Sequence, residues 1–148
     1  MKHLNFKIFI IEIVICFALY GCDVQTNAYA LCMNSNWHID LPNENTRLYE
    51  KTSGVSFTGD GIRYHILQYD KENINTISKS FNWKNDAIPD DLANKANEWL
   101  DQINVPTEKR PKTEKCKYVS LTRDKLPDCL IMFLNEDTNE LYAIEFFL

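Results

Sequence analysis

Residues 129–148 read CLIMFL, NEDTN, ELYAIEFFL: an apolar run from Cys129 to Leu134, the polar turn Asn135 to Asn139, and a second run from Glu140 to Phe147. Two such runs joined by a short polar segment predict an antiparallel hairpin. In the second run Tyr142, Ile144 and Phe146 fall on one face, because successive strand side chains point to opposite sides. Lys115 to Leu121 adds a third strand upstream, so the C-terminal part reads as a meander.

Ahead of the meander lies the main helix, expected over Pro89 to Ile103. Leu92, Ala96, Trp99, Leu100 and Ile103 recur at helical spacing and form one apolar stripe. Pro89 suits a first helical turn, and Asp90 and Asp91 suit the positive end of the helix dipole. Asp90, Asp91, Glu98 and Asp101 read as a solvated helix face. Pro106 and the basic run Lys109-Arg110-Pro111-Lys112 end the helix in an exposed loop. Lys71 to Ser80 predicts a shorter helix with Asp70 as its N-cap.

Further upstream, Gly54 to Phe57 and Ile62 to Tyr69 read as strands around Thr58-Gly59-Asp60-Gly61, where Asp-Gly is a strong hairpin signal. Arg47 to Lys51 is expected to be a short edge strand. Residues 22–43 are polar and lack a clear period, so they are expected to be a tether, with a first strand near Trp37 to Ile39. Helices in the middle and strands at both ends predict an α+β fold: an antiparallel sheet of about five strands, with the main helix (about 89–103) packed on one face. The domain is expected to occupy 44–148, after an N-terminal signal helix.

That signal is expected over residues 1–21. Lys2, His3 and Lys7 form a basic head, and Ile8 to Tyr20 is an apolar run broken only by Glu12. Thirteen helical residues rise roughly 20 Å, short of a hydrocarbon core of about 30 Å. The order of charge, apolar run and small residue is that of a cleaved export signal. Leu19-Tyr20-Gly21-Cys22 resembles the lipobox of bacterial lipoproteins. The resemblance implies cleavage after Gly21, acylation of Cys22 and partnership with membrane lipid at the extracytoplasmic face of the cell membrane. Ala28-Tyr29-Ala30 offers an alternative small-x-small processing site that would release a secreted, non-lipidated protein. The turn Phe57 to Gly61, the strand Tyr64 to Tyr69 and the closing Leu141 to Glu145 resemble small uncharacterised lipoproteins of low-GC Gram-positive bacteria. That resemblance implies no catalytic residue. Size, charge and build also match exported immunity proteins at the level of fold class.

The 148-residue chain has a formal charge of −5. Loss of residues 1–21 removes two lysines and one glutamate and leaves −6 on 127 residues, enough for one domain with a single core. An acidic chain without a basic stripe argues against nucleic acid. Cys32, Cys116 and Cys129 remain as thiols after Cys22 is taken by lipid. Cys116 and Cys129 are expected at opposite ends of one hairpin, too far apart to bond, which leaves Cys32 with either as the conceivable disulfide. His38 and His65 have no local metal-ligand spacing, and Asp60 between glycines lacks the ligand pattern of a calcium loop. No nucleophile elbow or phosphate-cradling glycine loop occurs. No catalytic residue, metal or cofactor is therefore expected. Trp99 falls on the helix stripe and reads as core. Trp83, in the loop before the helix, is the expected ligand-binding residue. These features favour a non-enzymatic binding or inhibitory lipoprotein, acting on membrane lipid through Cys22 and on another extracytoplasmic protein. A small extracytoplasmic enzyme is the alternative.

Overall fold

The computed structural model describes residues 28–54, 60–123 and 127–148. The expected signal segment, Cys22, and residues 55–57 of the strand expected at Gly54 to Phe57 lie outside the described residues. The described chain runs α1 (Ala28–Trp37), β1 (Thr46–Thr52), β2 (Gly61–Gln68), α2 (Lys71–Ser80), α3 (Asp90–Gln102), β3 (Lys117–Thr122), β4 (Cys129–Asn135) and β5 (Glu140–Phe147). Two single-turn 3-10 helices, Thr107–Lys109 and Thr113–Lys115, lie between α3 and β3.

The fold is α+β, with five antiparallel strands in the order β1-β2-β5-β4-β3. The expected C-terminal meander forms, with Phe133 opposite Tyr142 and Val119 opposite Met132. The last strand is the central one, paired with β2 on one side and β4 on the other. Asp70 caps α2, its side chain accepting from the Asn73 amide at 2.7 Å.

One face of the sheet carries Ile62, Tyr64, Ile66, Tyr118, Cys129, Ile131, Phe133, Tyr142 and Ile144, and α3 lays Ala96, Trp99 and Leu100 on it. Trp99 stacks on Phe146 at 4.8 Å between ring centres. The opposite face is not bare. Leu67, Val119, Leu130, Met132, Leu134, Leu141 and Ala143 pack there against Ala30, Met33 and Trp37 of α1 and Ile74 and Ile77 of α2. The main helix covers one face as expected, and α1 and α2 together cover the other. All seven residues of β4 are buried. An apolar run without alternation is what a strand covered on both faces requires, and Cys129 to Leu134 is such a run.

The expectation of a tether over 22–43 is corrected from residue 28 onward. Residues 28–37 form a helix, and no strand forms near Trp37 to Ile39. Alanine, leucine, cysteine and methionine crowd all sides of its first half, and polar residues fill the second, so no apolar stripe stands out in the sequence. His38 adopts a positive φ of 51° and ends the helix. Asn34 then fixes the following segment: its Nδ2 donates to the Leu41 carbonyl and its Oδ1 accepts from the Leu41 amide, both at 2.8 Å. Leu41 is buried.

The edges differ. Lys84 bridges to Tyr118 through two backbone hydrogen bonds and covers part of β3. The β1 edge is blunted by a register shift between Arg47 and Tyr49 and by the exposed charges of Arg47, Glu50 and Lys51, features that discourage edge-to-edge pairing. Gly61 closes the β1–β2 end with φ 134°, where a Cβ would stand 2.4 Å from the Ser53 hydroxyl. Ser53 needs that room, because its Oγ accepts from the Ile62 amide.

Candidate functional site

Two groups of polar side chains stand out, one on each face of the sheet. Under α1, Glu145 of β5 is fully buried. The Tyr29 hydroxyl donates to its Oε2 at 2.5 Å and the Trp37 indole donates to its Oε1 at 2.7 Å. Both donors come from α1, eight residues apart, roughly two helical turns. Tyr29 also stacks on His65 of β2. Burial, then the Glu145 carboxyl, push the Tyr29 phenol well above its ordinary value and keep it a donor. His65 is buried and neither ring nitrogen has a hydrogen-bond partner among the described residues. Burial, with Arg47 and Arg63 adding to it, lowers its pKa to about 3.

The guanidinium groups near this cluster are engaged. Arg63 lies over the Phe147 ring at 4.7 Å. Arg123 lies over Trp37 at 5.1 Å, pairs with Asp128 at 2.9 Å and donates to the Asn36 carbonyl. The arrangement clamps α1 to the sheet. Tyr29 covers the imidazole, and no hydrogen bond links that ring to Glu145.

On the other face, the loop after α3 folds back over the sheet. The Tyr64 hydroxyl donates to the Lys109 carbonyl, and the Arg110 guanidinium donates twice to the Val105 carbonyl while pairing with Asp101 at 2.6 Å. The loop and the ends of β2 and β5 line a half-open cavity of about 290 Å³. Leu48, Ile66 and Tyr142 give it apolar lining, and Lys109, Lys112 and Lys115 give it cations. Glu108 and Glu140 also line it. Glu140 is engaged, accepting from the Tyr142 hydroxyl at 2.5 Å and from Thr138 at 2.9 Å. The hydrogen bond and burial raise the Tyr142 pKa, burial being the larger effect.

The expected ligand residue Trp83 is not an open surface group. It is half-buried, meets Phe81 edge-on at 5.5 Å and donates its indole proton to the Ile77 carbonyl at 2.9 Å. It fastens the chain after α2 to the core. Trp99 is core, as expected. Cys32 is exposed on α1, whereas Cys116 and Cys129 pack on the α3 face, so the sheet separates Cys32 from both, and no disulfide links the three among the described residues. His38 is exposed and His65 buried, and no cluster of three metal-ligating side chains occurs among the described residues. The basic run Lys109-Arg110-Pro111-Lys112 was visible in the sequence as a loop; its position above Tyr142 and Leu48 was not.

No family model, curated protein or solved structure matches the chain.

Proposed function

We propose that this protein is a binding or inhibitory module held at the extracytoplasmic face of the cell membrane by lipid on Cys22. The observation that carries the reading is Tyr29. Processing at Ala28-Tyr29-Ala30 would remove a side chain that donates to the buried Glu145 and stacks on His65, and would cut into a helix whose Ala30 is fully buried. Processing before Cys22 leaves that helix whole. Five residues separate Cys22 from Ala28, the first residue of α1, and six Cα-to-Cα steps reach roughly 20 Å at full extension. The folded domain would then sit close against the bilayer. The binding role is supported by a preformed cavity on the face opposite α1 and by the enclosure of His65 beneath Tyr29, away from any thiol.

Metabolic labelling with palmitate tests the anchor. Label is expected on the wild-type chain and lost on Cys22→Ala. Retention of label by that variant, or recovery of the intact chain with its initiator methionine from the cytosol, overturns the assignment.

A further inference from the structure

The geometry points to the cavity under the 105–115 loop as a site for a carboxylate carrying a small apolar group. This rests on the binding-module reading and gives it a ligand chemistry. The volume, about 290 Å³, lies at the low end of ligand pockets, about 300–1,000 Å³, and suits a body the size of one amino acid. Leu48, Ile66 and Tyr142 offer that body an apolar lining.

The charge around the cavity selects the head group. Arg110 is neutralised by Asp101. Lys109, Lys112 and Lys115 then face Glu108 and Glu140, an excess of one positive charge around the cavity. A singly charged carboxylate balances that excess. Lys112 and Lys115 form no ion pair among the described residues, so their charges are available. The loop is fixed in advance by Pro106, Pro111, the Tyr64 hydroxyl and the Arg110–Val105 hydrogen bonds, which lowers the entropy cost of binding. The C-terminal residue of a peptide and a free short-chain acid share this chemistry.

The full chain in detergent micelles is titrated with N-acetyl-leucine, N-acetyl-leucine amide and isovalerate, followed by calorimetry and by the backbone amide signals of residues 112–116. N-acetyl-leucine is expected to saturate, and the amide to bind at least tenfold more weakly. The double variant Lys112→Ala with Lys115→Ala is expected to weaken the acid at least tenfold while amide signals outside the cavity stay in place. Isovalerate as tight as N-acetyl-leucine assigns the site to free acids; isovalerate tenfold weaker assigns it to peptide C-termini. Failure of both acids to saturate, or equal binding of acid and amide, overturns the proposal. Palmitate labelling reads the anchor independently, so either idea fails without the other.

Discussion

Under α3 the sheet presents Ile62, Tyr64, Ile131, Phe133 and Ile144, and the helix answers with Ala96, Trp99 and Leu100. Under α1 it presents a buried histidine and a buried glutamate among its apolar residues, and the helix answers with a phenol and an indole N–H. The first face is held by apolar burial, which is tolerant of detail and nearly independent of pH. The second depends on two specific donors reaching one carboxyl group, so its loss leaves polar groups buried without partners. The more exacting contact belongs to the helix nearest the expected lipid anchor.

This contrast is most directly tested by truncating one large side chain on each face. Trp37→Ala removes packing and leaves Glu145 Oε1 without its donor, and is expected to cost about 4–8 kcal/mol, the sum of a cavity term and an unsatisfied buried polar group. Leu100→Ala on the α3 face is expected to cost about 2–5 kcal/mol, the cavity term alone. Denaturant unfolding measures both. A Trp37→Phe variant, which keeps a ring in place and deletes the indole donor, with no loss of stability would show that the Glu145 contact adds nothing to burial.

The next largest effect is the response to acid. The pKa of His65 falls from an ordinary 6.5 to about 3 in the fold, so the unfolded state takes up the proton first. Stability is full above about pH 6.5 and declines as pH falls toward 3. Tyr29 from α1, Arg47 and Glu50 from β1, Arg63 from β2 and Glu145 from β5 surround the site. His65→Phe, which keeps the stack on Tyr29, is expected to flatten stability between pH 6.5 and 4 relative to wild type. A slope unchanged by the substitution would assign the acid response to another group.

The smallest change is Tyr29→Phe, which keeps the ring and deletes one donor to Glu145. A loss of about 1–3 kcal/mol is expected, with local hydrogen exchange in α1 rising more than in α3. Uniform exchange across both helices would mean that α1 does not open separately.

Several elements could be read before the fold was known because their signals are local. The stripe Leu92, Ala96, Trp99, Leu100 and Ile103 needs only helical spacing, and the meander needs only two apolar runs and a polar turn. Asp70 announces its own helix. By contrast, α1 carries apolar residues all round its first half, so periodicity was silent, although the non-alternating Cys129 to Leu134 run already required cover on both faces of the sheet. Trp83 stands in the loop before the main helix, a place that suggests exposure, but its indole proton is taken by a backbone carbonyl of the preceding helix.

Residue order and hydrophobic pattern were enough for the α+β class, the meander, the main helix and the acidic charge balance, since each follows from neighbours a few positions apart. The tertiary structure alone brought Tyr29 and Trp37 to Glu145 across more than 100 residues, put Cys32 and Cys129 on opposite sides of the sheet, and set the basic loop over Tyr142. Those pairings depend on which face of a strand each helix covers, and that is settled by how the whole chain buries its apolar surface at once.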